Sequence, residues 1–339
     1  SAGISIQLFR KWTDMTIANH LLPIEQEKWP IEFATKQLSI LWLPDEIKVE
    51  KDIQDVLVNF TPSEKHAVIN TLKLFSLYET HAGDEYWGKR YKQIFNGAEF
   101  HRMASVFSMF ELAIHAPFYK KINELLNIDT PEFYLQYESN PVLKQRIEAI
   151  DRYINHDDQL ISLAAFSMVE GAILYSSFAF LKHFQSQGKN KLMSVVRGIN
   201  FSVKDENLHS LAGAASFKYL AKKNKIATES YQLEIRKIAD EILWHEKEII
   251  DILFQQGEIK GITAHQLLCF VQSRLNECMK ELGMSKYYEV KYDPISAWFY
   301  QGINNYQFND FFTSVGSQYH RKWDEEGFVW KVQEQQERE

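Results

Sequence analysis

Glycine and proline are scarce in this sequence, at 14 and 8 of 339 residues, about half their usual combined share of roughly 12%. So few turn-formers argue against an all-β chain of this length and point to long helices. Cysteine is scarcer still. Cys269 and Cys278 form neither a CxxC pair nor a disulfide framework, and the expectation is two buried thiols in a reducing cytoplasm. No block of Lys or Arg occurs and the net charge is −7, which argues against nucleic acid or an anionic membrane surface as the main partner. Residues Ser1 to Ser5 lack the basic and apolar regions of a signal peptide, so a cytoplasmic protein is expected. There is no glycine-rich phosphate loop, no fixed-period repeat and no internal linker. What the chain does have is length enough for a large core and many aromatic residues, 14% of the total.

One apolar run, Ile161 to Leu181, approaches the length of a membrane span, but its only charge is Glu170 at the centre. A carboxylate at mid-bilayer costs a few kcal/mol even on lenient scales (~2.5–3.5). With no second span, no aromatic belt and no basic asymmetry, the run reads as a helix buried on all sides in a soluble bundle. Its carboxylate then needs a buried partner. Elsewhere, residues 1 to about 60 read as irregular. Thr61-Pro62-Ser63-Glu64 is a capping box with proline in the first helical position, opening a helix to about Phe95. Further helices are expected over Ala98 to Leu126, a shorter one from Thr130, then Ile161 to Gln187, Leu192 to Lys223, Ser230 to Gln256 and Thr263 to Leu282. Gly188, Gly257 and Gly283 stand at three of their ends. The closing residues from Gln333 are wholly polar. One all-α domain with a flexible tail follows.

Four of these helices carry acidic or imidazole groups in apolar settings. They are Glu79, then Glu111 with His115, then Glu170, then Glu206 with His209. At about 100° per residue, positions i and i+3 differ by about −60° and positions i and i+4 by about +40°. Glu206 and His209 therefore share a face, as do Glu111 and His115. Each feature alone has an ordinary explanation, and a lone Glu-x-x-His is usually solvated. Glu170 is harder to dismiss, because an unpaired buried carboxylate is so costly that it is neutral or ligated. Together the four carboxylates and two imidazoles make the ligand set of two adjacent metals in a four-helix bundle.

With these residues in place, the chain resembles the small, radical-generating subunit of class I ribonucleotide reductase over about Leu38 to Tyr319. The family's ligand order is Asp or Glu, Glu and His, Glu, then Glu and His, and it falls on Glu79, Glu111, His115, Glu170, Glu206 and His209. The resemblance implies a ferritin-like four-helix-bundle core with additional helices. It also implies a radical tyrosine at Tyr119, four residues after the first ligand histidine, and a transfer route through Asp205 and Trp42 to Tyr319 behind Phe311-Phe312. Two departures stand out. The first ligand is Glu79 where many members have Asp, and the first pair is Glu-x-x-x-His, one residue longer than usual. A local π-bulge would absorb the extra residue.

The resemblance further implies a dinuclear centre, two irons or else a dimanganese or manganese–iron pair, that oxidises Tyr119 to a neutral radical. Phe118, Leu174 and Phe178 are its expected apolar neighbours. The oxidising equivalent then passes to a large catalytic subunit that reduces ribonucleotides to deoxyribonucleotides. Two cysteines and no nucleotide loop cannot make the whole enzyme. The expected organisation is an irregular segment 1–60 packed on the bundle, a helical dimetal domain 61–310 and a tail 311–339 that docks the large subunit, in a homodimer without nucleic-acid or membrane contacts. Alternatives are a ligand-binding dimetal oxidase of the same superfamily, a ferritin-type iron store and a purely structural bundle. The oxidase would bury a lipid and lack a tyrosine at 119, the iron store needs a much shorter chain, and the structural bundle leaves Glu170 unexplained.

Overall fold

The computed structural model describes residues 25–300. Their fold is all-helical, and among the described residues the only β-pairing is one bridge between Ile259 and Ile262. Helix α1 spans Trp29–Ser39 and α2 spans Pro62–Thr80; a π-helical stretch, His81–Arg90, carries α2 into the short α3, Tyr91–Ile94. A single π-helical turn, Glu111–His115, joins α4 (Ala98–Phe110) to α5 (Ala116–Leu125). After α6 (Pro131–Ser139) and α7 (Pro141–Ile154) come α8 (Gln159–Ala172) and α9 (Tyr175–Lys182). The remaining long helices are α10 (Met193–Lys223), α11 (Gln232–Leu253) and α12 (Ala264–Glu281).

The helix starts follow their caps. Thr61 accepts from the Glu64 N–H while the Glu64 carboxylate returns to the Thr61 N–H at 2.9 Å, with Pro62 spending no donor in the first turn. Asp158 caps α8 through the Leu160 and Ile161 amides. Gly188 and Gly283 take the positive φ that closes a helix.

The central layer is α2, the α4–α5 pair, α8 and α10. The segment from α8 through α9 is buried without interruption from residue 162 to residue 184, wrapped by α7, α10, α11 and α12. The stretch 159–186 is long and apolar enough to cross a membrane, yet 94% of its apolar window lies inside the fold, so it is a core helix. α8 and α10 approach closely. The Ser167 hydroxyl donates to the Ser210 carbonyl and the Ser210 hydroxyl to the Ser167 carbonyl, each at 2.7 Å. A Cβ on Gly213 would sit 2.9 Å from Ser167 Cβ, so this contact requires glycine.

Four sequence expectations need correction. The segment 1–60 is not irregular throughout, since it contains α1. That helix was hidden because its buried face includes Gln37 and Pro30 beside Phe33 and Ala34, which breaks the apolar stripe. α7 was not anticipated, although Asn140 caps it ahead of Pro141. The single helix expected over 161–187 is broken at Ile173 and Leu174. There Arg146 donates to the Ile173 carbonyl, Arg274 Nε donates to the Gly171 carbonyl at 3.1 Å, and the Ser176 N–H donates to Glu246 at 3.3 Å. Side chains from α7, α11 and α12 thus take over backbone groups that a continuous helix would pair internally. Finally, Cys278 is buried but Cys269 only half-buried. Nine residues apart on one helix, they point in nearly opposite directions, so one face cannot bury both.

Candidate metal centre

The π-helical turn Glu111–His115 is where the chain departs from regular α-helix, and its sequence explains why. Pro117 has no N–H and its ring would crowd the carbonyl four residues back, which loosens the helix just upstream. The wider turn absorbs the extra residue of Glu-x-x-x-His and leaves both side chains facing inward. The other π-helical stretch, His81–Arg90, packs on it. A Cβ on Gly83 would meet Leu112 Cγ at 2.6 Å and Glu111 Cβ at 3.0 Å, so Gly83 sets how near Glu111 can approach α2.

All six expected ligands converge. Glu79, Glu111, His115 and Glu206 form one buried group whose ligand atoms lie within 4.8 Å of one another, and Glu111, Glu170, Glu206 and His209 form a second. Glu111 and Glu206 belong to both groups, so each would contribute to holding either of two cations there. His115 Nδ1 lies 3.0 Å from Glu111 and 3.4 Å from both Glu79 and Glu206. His209 Nδ1 lies 2.6 Å from Glu111 and 3.9 Å from Glu170 and Glu206.

The chemistry of the donors fits a dinuclear metal site. Both oxygens of Glu79 and of Glu206 and Nε2 of His209 are buried without a hydrogen-bond partner, and the 2.6 Å approach of His209 Nδ1 to Glu111 Oε1 is not aligned as a hydrogen bond. Each such atom costs about 1–3 kcal/mol unless something satisfies it, and a cation between the carboxylates does so. The electrostatics agree. Burial and then the neighbouring Glu111 hold Glu79 well above the usual carboxylate range, and burial and then Glu206 do the same to Glu170. Burial and Glu111 push Glu206 up to about 8. Glu111 alone runs the other way: burial opposes its ionisation, but the charges of His115 and His209 hold it well below. Burial works against a charge on His115, yet Glu111 and Asp205 hold its pKa well above that of a free imidazole. Four carboxylates this close cannot all ionise without added positive charge.

A hydrogen-bonded chain leads away from the first group. His115 Nε2 donates to Asp205 Oδ2 at 2.9 Å, and Trp42 Nε1 donates to the same oxygen at 2.9 Å. Gln37 Nε2 donates to Asp205 Oδ1 at 2.7 Å. With Nε2 directed to Asp205, His115 turns Nδ1 toward the carboxylates, 3.0 Å from Glu111 Oε2, the side on which a metal would be held. Tyr119, fully buried, lies one turn beyond His115 and stacks on Phe75 at 4.3 Å. Its phenol donates to Ser202 Oγ at 3.1 Å, and burial, aided by the charge of Glu79, pushes its pKa well above the ordinary value. Trp42, Tyr119 and Asp205 thus lie around the cluster. Tyr319 lies outside the described residues, as do Phe311 and Phe312.

Sequence reasoning missed several neighbours. Glu170 accepts one bond on each oxygen, from Trp87 Nε1 at 2.7 Å and from the Tyr78 hydroxyl at 2.9 Å. Tyr78 adjoins Glu79 and Trp87 is two turns on, so position could have marked both. Gln37, Phe75 and Ser202 carry no such signal, because only tertiary packing brings them in. Of the expected apolar neighbours, Phe118 contacts the Tyr119 ring at 5.0 Å, and Phe178 is one ring removed, stacked on Phe75 at 5.3 Å. Leu174 is buried at the break between α8 and α9.

Comparison with known proteins gives a consistent picture. The family model for the ribonucleotide reductase small chain matches residues 18–294. A probable ribonucleoside-diphosphate reductase small subunit of Invertebrate iridescent virus 3 is 24% identical over 299 residues, covering 82% of this chain and 78% of the relative. The ribonucleoside-diphosphate reductase subunit beta of Mycoplasmoides gallisepticum is 25% identical over 299 residues, covering 85% and 84%. Among solved structures, the dimanganese(II)-NrdF of Streptococcus sanguinis shares the fold with a TM-score of 0.69 at 19% identity, over 80% of this chain and 95% of that one.

Proposed function

The chain belongs to the ribonucleotide reductase small-chain family, and from that premise we propose that it generates a radical on Tyr119 and passes it to a large catalytic subunit. The observation that carries this reading is the pair of buried ligand groups sharing Glu111 and Glu206, with a dry tyrosine one turn beyond His115. Glu79, Glu111, His115 and Glu206 would hold one metal, and Glu111, Glu170, Glu206 and His209 the other. When bound, such a pair supplies the one-electron oxidation of Tyr119, using an oxygen-derived oxidant. We read the pair as iron, with dimanganese or manganese–iron as the alternatives that metal analysis separates. The fold shared with a dimanganese protein keeps manganese in view.

The protein's own residues do the rest. Phe75 and Phe118 keep water from the phenol, and burial keeps it neutral until it is oxidised. Asp205 orients His115 and ties it to Trp42, whose ring lies 6.0 Å from the imidazole with an interplanar angle of 27°. That contact is the proposed exit route, with Tyr319 as the relay toward the large subunit. The division into a packed segment 1–60, a dimetal domain 61–310 and a docking tail 311–339 belongs to the same reading, as do a homodimer and a cytoplasmic location.

The test pairs the wild type with Tyr119→Phe, each metal-loaded, activated and combined with the large subunit. The wild type should show a tyrosyl signal in electron paramagnetic resonance and reduce ribonucleotides. Tyr119→Phe should lose both and keep its metals. A variant that retains both the signal and turnover would place the radical elsewhere.

A further inference from the structure

Two aromatic rings and one hydroxyl contact Tyr119, with the charges of Glu79 and His115 acting on it from the cluster. Phe75 stacks on the ring and Phe118 tilts against it. Ser202, fully buried in α10 one turn before Glu206, is the only hydrogen-bond partner of the phenol among the described residues, accepting its proton at 3.1 Å. A serine hydroxyl has one donor and two acceptor lone pairs, and its proton turns freely about the Cβ–Oγ bond. A neutral tyrosyl radical has no proton left and can only accept.

We propose that Ser202 is a positioning residue for the radical: its hydroxyl accepts from the Tyr119 phenol in the resting protein and turns to donate to the phenoxyl oxygen once the radical has formed. This rests on the reading of Tyr119 as the radical site. Oxidation removes one electron and the phenolic proton from Tyr119, both taken up by the oxygen-derived oxidant that activates the site; the turn of Ser202 then moves no further atom or electron, and one O–H bond changes direction. In a dry pocket the donated bond faces no competition from water, so it stabilises the radical oxygen that would otherwise be left unpaired. It also ties the radical ring to the helix that carries Glu206 and His209, whereas Tyr119 itself sits on α5.

High-field electron paramagnetic resonance and proton electron–nuclear double resonance on the activated, full-length protein test this, in ordinary and in heavy water. The wild-type radical should show one exchangeable proton coupling and the lowered gx of a hydrogen-bonded tyrosyl. Ser202→Ala should lose the coupling, raise gx and shorten the radical half-life by about two- to tenfold, the factor that one net hydrogen bond of ~0.5–1.5 kcal/mol commands. Ser202→Cys, with a weaker S–H donor in nearly the same volume, should fall between them. A purely structural role for Ser202 would leave gx and the coupling unmoved. A wild-type Tyr119 radical without an exchangeable coupling, or one whose coupling survives in Ser202→Ala, overturns the proposal and leaves the radical assignment standing. A wild-type signal that persists in Tyr119→Phe overturns the assignment, and this proposal with it.

Discussion

Replacing Arg146 by methionine probes the joint between fold and site. The guanidinium is buried on α7, with Nη1 2.6 Å from Glu246 Oε1 on α11 and Nη2 bonded to the Ile173 carbonyl at the break between α8 and α9. Glu246 holds the other side of the break through the Ser176 N–H. That break begins three residues after Glu170, so the ion pair fixes the helix end that presents a candidate metal ligand. Methionine fills much of the volume but leaves Glu246 without a cation and the Ile173 carbonyl without a donor. Breaking a buried pair on one side costs about 3–5 kcal/mol. Burial already raises the Glu246 carboxyl, with Arg146 opposing it. Without Arg146 the carboxyl is pushed further up and protonates more readily, which limits the loss to the lower end, about 3 kcal/mol. In urea, with a slope near ~3 kcal/mol per M, the midpoint should drop by about 1 M. The double variant Arg146→Met/Glu246→Leu removes both charges and should recover most of that loss. Metal content of the single variant, measured where it is still folded, should fall together with stability. A single-variant cost below about 1 kcal/mol, or a double variant no better than the single, refutes the reasoning.

Three further perturbations address other contacts. Trp42→Phe removes the Nε1 donor to Asp205 Oδ2, which still accepts from His115; it should cost about 1.5–3 kcal/mol for the lost hydrogen bond to a carboxylate and reduce turnover with the large subunit far more than metal content, read by activity assay and metal analysis side by side. Gly171→Ala places a Cβ against Cys278 Sγ and Ser210 Oγ; about 1–3 kcal/mol of overpacking should displace neighbouring Glu170 and lower the metal count, which thermal melting and metal analysis check together. His245 is buried among Arg146, Arg152 and Glu241, and burial and then Arg146 lower its pKa to about 4. Its folded pKa lies below the ordinary 6.5, so its contribution is complete above about pH 6.5 and is lost as pH falls toward 4. That slope amounts to about 2 kcal/mol at most after allowance for partial solvation. His245→Leu should flatten the stability–pH curve in that window, and an unchanged curve would contradict the assignment.

Much of the architecture could be read from the sequence because the signals were local. Thr61-Pro62-Ser63-Glu64, Gly188 and Gly283 mark helix ends by chemistry confined to a few residues, and Glu170 in an apolar run announces a buried partner by its cost alone. The six clustered carboxylates and imidazoles could be paired because helical periodicity places Glu206 with His209 and Glu111 with His115. What escaped was made by tertiary contacts. The break after Ala172 depends on Arg146, Glu246 and Arg274, distant in sequence from the residues they cap. α1 escaped because Gln37 sits on its buried face, where its Nε2 donates to Asp205. Ser202 and Phe75 became visible only once α10 and α2 were seen to flank Tyr119. The π-helical turn was an intermediate case, signalled by the Glu-x-x-x-His spacing and by Pro117, although neither fixed its bounds.

The most direct test of the account is a crystal structure of the chain soaked in Mn(II) or Fe(II), read by anomalous scattering at the metal edge. Two peaks per chain should appear, one held by Glu79, Glu111, His115 and Glu206 and the other by Glu111, Glu170, Glu206 and His209, with Glu111 and Glu206 touching both. A single peak, or metals bound away from these six residues, would contradict it.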